Sequence, residues 1–322
     1  MTAGQAVRAG TGQAVGPSLT VGGLLDEVAG ALTSRAEARW LVASAVGASP
    51  SGLTLRVEDP VADTTAHAVR AGLARRLSGE PIQYVLGTWA FRNVEVNLDR
   101  RVLVPRPETE IVTGVALEEL GHRSGGLGSG DQVTAVDLGT GSGVIALSLA
   151  AEWDTVVPPG PRPRLEVWAT DVSAGALEVF QSNLDLLRGR DAAAADRVRV
   201  ASGSWFDALP RALRGQVNVI VSNPPYVSAA EWCELDGAVR DHEPKTALVA
   251  GPTGLEALET VLVGARRWLA PDGVLVVELA PHQAADLERI ATGLGYDAVE
   301  VRPDLTGRSR MLIARQPGDR RR

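Results

Sequence analysis

The segment with the most distinctive chemistry is VIVSNPPYV, residues 219–227, in which a run of Val and Ile meets two consecutive prolines. Proline fixes φ, lacks an N–H and disfavours helix in the preceding residue, so a strand that reaches Asn223 must end there. The Asn223 side-chain oxygen and the Pro224 carbonyl can each accept a hydrogen from a planar NH2 group, on which Tyr226 can stack. This pattern indicates transfer of a group to a poorly nucleophilic amide or aryl nitrogen.

A glycine-rich turn separates an apolar segment from a helical one in AVDLGTGSGVIALSLA. The apolar segment is predicted to be a strand that ends at Asp137. Gly139, Gly141 and Gly143 then form the turn, where glycine permits positive φ and close approach to a ligand. A dinucleotide fingerprint needs its third glycine at position 144, which is valine, so the spacing disfavours NAD. Taken alone, the turn would also suit simple packing of a helix on a strand.

Two further signals follow the next apolar segments. Asp171 ends LEVWATD, where a carboxylate can accept the hydroxyl hydrogens of a ribose, and Ser173 is placed to cap the following helix. Trp205 and Phe206 come after the third segment and are predicted to sandwich an adenine, although such aromatics also suit a core. Together with the glycine turn, these residues describe a site for an adenosine ligand without a pyrophosphate, which fits S-adenosylmethionine.

Apolar, strand-like segments alternate with helical stretches from residue 132 onward and would position these residues. The predicted strands are VTAVDLG, LEVWATD, RVRVASG, VNVIVSN and GVLVVELA, with DAVEVRPD and RMLIARQ as a closing pair. This rhythm is typical of a parallel sheet covered by helices on both faces. The predicted fold class is therefore α/β, a doubly wound, mostly parallel, seven-stranded sheet with ligands at the carboxyl ends of its strands.

The chain before residue 105 has a different pattern. Residues 1–18 are small and polar and are predicted to be a flexible tail, whereas residues 19–82 show helical spacing and a capping box of Ser34 and Glu37. Alternation in residues 83–104 predicts a hairpin linker. Residues 105–318 form the predicted catalytic domain, in which PRPETE opens a helix and HRSGGLGSGD, residues 122–131, is predicted to be a flexible surface loop.

Composition narrows the classes of partner. The 322 residues carry a net charge of -7, which disfavours a partner held mainly by phosphate contacts, so direct nucleic-acid binding is not expected. Cys233 is the only cysteine, which excludes an internal disulfide and a multi-cysteine metal site, and no metal is predicted. The N-terminal residues lack the apolar core of a signal peptide and no run of 18 apolar residues occurs, so we expect a cytoplasmic protein that does not bind a membrane.

Six segments together resemble the HemK/PrmC family, the peptide chain release factor N5-glutamine methyltransferases, over roughly residues 20 to 315: VSNPPYV, DLGTGSG, PIQYVLG, LVPRPETE, EPKTALVAG and DLTGRSRM. The resemblance implies a helical, substrate-docking N-terminal domain and a class I methyltransferase domain. It implies methyl transfer from S-adenosylmethionine to the glutamine of a Gly-Gly-Gln loop in class I release factors. The implied cofactor residues are Gly139, Thr140, Gly141, Ser142, Gly143, Asp171, Trp205 and Asn223. The implied substrate residues are Asn223, Pro224, Pro225 and Tyr226, of which Asn223, Pro224 and Tyr226 are the catalytic ones.

Two positions depart from the pattern of that family. Ser204 and Asn218 each replace an acid that is common there, which affects adenine recognition and local hydrogen bonding, respectively. The tetrapeptide Asn-Pro-Pro-Tyr is shared with DNA adenine methyltransferases, so three alternatives stay open: glutamine methylation of a ribosomal protein, N6-adenine methylation of nucleic acid, and a non-catalytic binding module. The acidic pI of about 5.3 argues against the nucleic-acid alternative.

Overall fold

The computed structural model describes residues 19–125, 127–157, 160 and 162–318, so the predicted tail, residues 1–18, lies outside the described residues. The described chain divides into two compact units, one that ends at Leu86 and one that begins at Gly87. The first unit is helical, as predicted. Its helices are α1 (Val21–Ala31), α2 (Arg35–Ala45), α3 (Asp63–Leu77) and α4 (Ile82–Leu86).

Helices α1 and α2 of the first unit begin at polar caps, Thr20 and Ser34, and the helices of this unit pack around an apolar cluster that includes Leu24, Val28 and Val42. The Ser34 hydroxyl accepts a hydrogen bond from the Glu37 N–H at 3.3 Å, which caps α2. The Glu37 carboxylate does not complete the predicted capping box, because it binds Arg76 of α3 at 2.7 Å instead. A charge-assisted bidentate pair is stronger than a bond to a backbone N–H, so this carboxylate ties α2 to α3.

The second unit contains the predicted seven-stranded sheet. Its strands are β1 (Thr88–Phe91), β2 (Val94–Asn97), β3 (Gln132–Leu138), β4 (Arg164–Asp171), β5 (Val198–Ser202), β6 (Val217–Ser222), β7 (Val227–Ser228), β8 (Val249–Gly251), β9 (Leu269–Glu278), β10 (Ala298–Pro303) and β11 (Ser309–Arg315). Its helices are α5 (Pro107–Ser124), α6 (Val144–Val156), α7 (Ala174–Arg190), α8 (Ala192–Ala195), α9 (Gly237–Arg240), α10 (Glu256–Ala265) and α11 (Ala284–Gly293). The sheet order is β10-β11-β9-β6-β3-β4-β5, with β11 antiparallel to its neighbours and the remaining pairs parallel.

Both faces of the central strands are covered. All residues of β3 from Val133 to Leu138 are buried, and so are those of β9 from Val274 to Glu278. Since successive strand residues point to opposite faces, burial of every residue requires helices on both sides of the sheet. The fold is therefore the doubly wound α/β architecture that the sequence predicts, and the carboxyl ends of β3, β4 and β6 lie side by side.

The predicted hairpin is present as β1 and β2, which pair antiparallel. The predicted linker spans residues 83–104, but its first four residues, 83–86, lie in α4 of the first unit. The hairpin itself belongs to the second unit. The Asn97 N–H donates to the Asn183 side-chain oxygen of α7 at 2.6 Å, and Arg92 pairs with Glu152 of α6 at 2.8 Å. These bonds attach the hairpin to the helices that flank the sheet.

Helix α5 begins at Pro107, where a missing N–H is tolerated because the first turn has no partner for it. The helix continues to Ser124, so the first three residues of the predicted loop 122–131 are helical. Ser124 is buried and its hydroxyl donates to the Gly121 carbonyl at 2.7 Å within the last turn of the helix. None of the described helices combines the length and the hydropathy of a membrane span.

Candidate active site

A cavity of about 380 Å³ lies at the carboxyl ends of β3, β4 and β6 in the second unit. It brings together most of the residues that the sequence predicts for cofactor and substrate: Gly139, Thr140, Gly141, Ser142, Asp171, Trp205, Asn223 and Pro225. Within the described residues, no group of three or more His, Cys, Asp or Glu side chains is arranged to hold a metal ion.

The glycine turn after β3 adopts the backbone that its sequence predicts. Gly139, Gly141 and Gly143 have φ values of 71°, 55° and 89°, in the left-handed region that disfavours other residues. The N–H groups of Gly139 and Thr140 both donate to the Thr170 carbonyl at 2.9 Å, so the turn is fixed against the end of β4. Gly143 does not line the cavity, because it packs on Phe180 of α7, whose ring would lie 2.4 Å from a Cβ at this position.

Asp137 supports this turn from beneath, a role that the sequence analysis missed. Its Oδ2 accepts from the Thr140 hydroxyl at 2.6 Å and from the Ala146 N–H at 3.1 Å, which joins β3 to the turn and to α6. The side chain is fully buried, and burial raises the pKa of Asp137 to about 7 despite these two hydrogen bonds. Its Oδ1 has no hydrogen-bond partner among the described residues.

Asp171 lines the cavity and is held by two backbone groups. Its Oδ2 accepts from the Gly141 N–H at 2.9 Å and its Oδ1 accepts from the Ser173 N–H at 2.8 Å. Each carboxylate oxygen can accept more than one hydrogen, so both retain capacity for the hydroxyl groups of a ligand. Ser173 caps α7 through its bond from the Ala176 N–H, as predicted, so Asp171 itself is not the helix cap.

The two aromatic residues after β5 point in different directions. The Trp205 ring lines the cavity and lies 3.7 Å from the position of a Cβ on Gly139. Phe206 is buried in the core, where its ring stacks on Trp268 with centroids 6.0 Å apart. The predicted sandwich of adenine between both rings is therefore wrong, since successive residues of this short helical turn face opposite sides. Trp205 provides one aromatic wall.

The two departures from the family pattern have distinct positions. Ser204 lines the cavity beside Trp205. Asn218 lies in β6, where its Oδ1 accepts from the Thr134 N–H of β3 at 2.8 Å. The amide oxygen of Asn218 thus supplies an acceptor to the neighbouring strand, as an acid at this position would.

The chain segment after β6 contributes to the cavity in part. Asn223 and Pro225 line it, whereas Pro224 is buried and Tyr226 is half-buried, and neither of these lines the cavity. The Asn223 Nδ2 donates to the Thr109 hydroxyl at 3.1 Å, which leaves its Oδ1 as an acceptor. The Tyr226 hydroxyl donates to the Glu278 carboxylate at 3.3 Å, which fixes the ring.

An ion pair joins two segments that flank the cavity. Glu243 is buried and accepts from the Arg106 guanidinium at 2.6 Å and from the Val104 N–H at 3.2 Å. The neighbouring residues Pro105 and Pro244 both line the cavity. The segments PRPETE and EPKTALVAG both contribute to the family resemblance of the sequence, but only the structure shows that they contact each other.

Two family models and several known proteins match this chain. Residues 27–87 match the family model for the PrmC N-terminal domain, and residues 120–235 match that for the methyltransferase small domain. A release factor glutamine methyltransferase of Chlorobaculum tepidum is 38% identical over 84% of this chain and 86% of its own length. The proteins of that name from Cereibacter sphaeroides and Burkholderia pseudomallei are 35% and 37% identical, over 98% and 88% of this chain and 99% and 92% of their own lengths. The chain therefore belongs to the family of release factor glutamine methyltransferases, as its sequence motifs predict.

Proposed function

We propose that this enzyme transfers a methyl group from S-adenosylmethionine to the side-chain amide nitrogen, N5, of the glutamine in the Gly-Gly-Gln loop of class I peptide chain release factors. One observation carries the proposal above the others. Asn223, at the end of β6, lines the same cavity as the glycine turn and Asp171. An acceptor for a substrate NH2 group therefore lies within reach of a site that suits an adenosine ligand.

The residues around the cavity fit the cofactor chemically. Asp171 offers carboxylate oxygens for ribose hydroxyls, and the Trp205 ring offers a flat apolar surface for adenine. A Cβ on Gly141 would meet no atom within 4 Å, so the backbone here is open to a ligand. Thr140 and Ser142 complete the cofactor side, while Gly143 acts by fixing the turn on α7. When bound, S-adenosylmethionine supplies an electrophilic methyl group.

The substrate side must orient a nitrogen whose lone pair is delocalised. The Asn223 Oδ1 and the Pro224 carbonyl each accept one hydrogen of the glutamine NH2, which fixes the nitrogen and stabilises the positive charge that develops on it. Pro225 lines the cavity and is proposed to flank the amide plane. Tyr226, which lies outside the cavity of the free protein, is proposed to stack on the π face of the amide when the substrate is bound. No general base is required for the methyl transfer itself, because the proton is lost from the nitrogen after its charge has formed.

The helical unit that ends at Leu86 is proposed to dock the folded release factor. Its match to the PrmC N-terminal domain, a unit separate from the methyltransferase domain, supports this proposal. A folded partner supplies binding energy from contacts remote from the reacting amide, so a short peptide with the Gly-Gly-Gln sequence should be a much poorer substrate than the intact factor. Because release factors work on ribosomes, we place the reaction in the cytoplasm.

One assay tests the proposed function against its alternatives. The enzyme is incubated with isotopically labelled S-adenosylmethionine and, side by side, with a release factor, ribosomal proteins and duplex DNA, and the label is located by mass spectrometry. We expect label on the glutamine of the release factor alone. Label on a ribosomal-protein glutamine or on adenine would replace the proposed substrate, and cofactor binding without any transfer would indicate a binding module.

A further inference from the structure

A chain of hydrogen bonds leads from Asn223 into the core and involves two residues, Thr109 and Glu278, that the proposed mechanism does not use. The Asn223 Nδ2 donates to the Thr109 Oγ1 at 3.1 Å, and the Thr109 hydroxyl donates to the Glu278 Oε2 at 2.7 Å. Thr109 and Glu278 are 3% and 1% exposed, so the bond between them is buried, whereas the bond from Asn223 to Thr109 is part-buried at the cavity wall that both residues line. The chain connects the first turn of α5, the end of β9 and the segment after β6.

We propose that Thr109 and Glu278 act as positioning residues, which together fix the rotation of the Asn223 amide so that its oxygen, and not its NH2 group, faces the substrate. A threonine hydroxyl has a single hydrogen. Because that hydrogen is donated to the Glu278 carboxylate, Thr109 can only accept from Asn223. The opposite rotation of the amide would place its oxygen against the Thr109 oxygen with no hydrogen between them.

The rotation matters because the two ends of an asparagine amide have opposite hydrogen-bonding character. With Oδ1 towards the cavity, Asn223 accepts a hydrogen from the substrate nitrogen. With its NH2 group there, two donors would face each other and the developing positive charge would be destabilised. The inference rests on the proposed function for this consequence, although the orientation itself follows from contacts within the protein alone.

Tyr226 determines which carboxylate oxygen of Glu278 takes up a proton when the pH falls. Its hydroxyl already donates to Oε1, so a proton taken up by Glu278 is directed to Oε2, next to Thr109. Protonated Glu278 can then donate to Thr109 and release the Thr109 hydrogen towards Asn223. The amide is no longer confined to one rotation in that state.

The surroundings of Glu278 bring this change within an accessible pH range. Burial raises the pKa of Glu278 to about 7, and the negative charge of Glu108 on α5 adds to the rise. The hydrogen bonds from Thr109 and Tyr226 and the positive charge of Arg310 on β11 act in the opposite direction. The amide should therefore be fixed above about pH 7, and turnover should fall as the pH decreases through that value.

The first test is made on the free protein and does not depend on the substrate. With 15N-labelled asparagine, the side-chain NH2 signals of Asn223, assigned by loss in Asn223→Asp, should shift between pH 5 and pH 9 with a midpoint near 7. The shift should be absent in Glu278→Gln and in Thr109→Val. A wild-type signal that does not titrate, or one that titrates equally in both variants, would overturn the proposal.

The second test measures turnover with a release factor and uses a matched control. Thr113 lies one turn further along α5, is fully buried, and donates its hydroxyl to the Thr109 carbonyl at 2.8 Å. Thr109→Val should lower kcat about tenfold or more at pH 8, since it releases a preorganised acceptor. Thr113→Val and Thr109→Ser should each stay within about threefold of the wild type, because both keep a hydroxyl between Asn223 and Glu278.

The outcomes separate the inference from the proposed function. Equal kcat values for Thr109→Val and Thr113→Val would contradict a positioning role, and so would a Glu278→Gln enzyme that keeps the wild-type pH profile of kcat. If the wild-type enzyme labels no release factor, the proposed substrate is wrong. The NMR titration still tests whether Thr109 and Glu278 fix the Asn223 amide. Should Thr109→Val not fold, Glu278→Gln decides the question with the same two measurements.

Discussion

The two sides of the cavity are built in different ways. The cofactor side, made of the turn Gly139–Ser142 with Asp171 and Trp205, is held by bonds to adjacent strand ends, such as those to the Thr170 carbonyl. The substrate side, made of Asn223 and Pro225 with Tyr226 behind them, depends on distant residues. Thr109 lies 114 residues from its partner Asn223, and Glu278 lies 52 residues from its partner Tyr226. Each side contains a buried carboxylate, Asp137 or Glu278, whose pKa is raised to about 7 by burial.

This difference shows where each function is encoded. Asp137 bonds to Thr140 and Ala146, three and nine residues further along the chain, so one segment contains both the glycine turn and the carboxylate that supports it. Glu278 bonds to Thr109, 169 residues away, so the substrate side exists only when the sheet is assembled. We therefore expect changes on the cofactor side to alter cofactor affinity, and changes on the substrate side to alter turnover with little effect on that affinity.

The largest effect is expected from Asn223→Ala. The substitution removes the acceptor for the substrate nitrogen, and loss of one such preorganised group lowers the rate by about 100- to 1,000-fold. The dissociation constant of the cofactor, measured by calorimetry, should change by only a few-fold. Near-normal turnover in this variant would refute the proposed role of Asn223 and, with it, the separation of the two sides.

Asp137→Asn should change how stability depends on pH. The pKa of Asp137 is about 7 in the folded protein and near 3.8 when unfolded, so between these values the folded state holds a proton that the unfolded state lacks. The Asp137 contribution to stability is therefore fully present below about pH 4 and is lost as the pH rises through 7. Relative to the Asn variant, wild type should lose about 2–4 kcal/mol of unfolding free energy between pH 4 and pH 8. The unfolding free energies of both proteins are measured with denaturant, in the absence of cofactor, between pH 4 and pH 8. If they change with pH in parallel, Asp137 does not titrate in this range.

Sequence patterns were sufficient to predict features whose causes are local. Alternation of apolar strands and helices predicted all seven strands of the sheet, and the positive φ of Gly139 is one that glycine permits at little cost. The pattern could not show that Phe206 points into the core, because adjacent aromatics are told apart only by the helix that packs on them. Nor could it pair Thr109 with Glu278, since a buried threonine and a buried glutamate have no periodic signal and their contact depends on the order of the strands.

Asp171→Ala tests the cofactor side directly. If both carboxylate oxygens bind ribose hydroxyls, their loss should raise the dissociation constant of the cofactor about tenfold or more, since hydrogen bonds to charged groups contribute about 1.5–3 kcal/mol. The turnover at saturating cofactor should change much less. Because the carboxylate also accepts from Gly141 and Ser173, Asp171→Asn serves as the control that keeps an oxygen at this position. Unchanged affinity in both variants would assign Asp171 to support of the turn alone.

The smallest effects are expected from the two adjacent aromatics, which give the sharpest contrast between site and core. Trp205→Leu removes the aromatic wall of the cavity, so it should raise the cofactor dissociation constant by about 3- to 10-fold, because a stacking contact contributes about 0.5–1.5 kcal/mol. It should cost less stability than Phe206→Leu, since Trp205 is only partly buried against the core. Phe206→Leu should do the reverse, since Phe206 packs on Trp268 and within 2.2 Å of a Cβ position on Gly264. It should cost about 1–2 kcal/mol of stability with affinity retained. Cofactor affinity by calorimetry and stability by denaturant unfolding, measured on both variants, test this separation of site and core. A loss of affinity in Phe206→Leu equal to that in Trp205→Leu would restore the two-sided aromatic site that the sequence suggests.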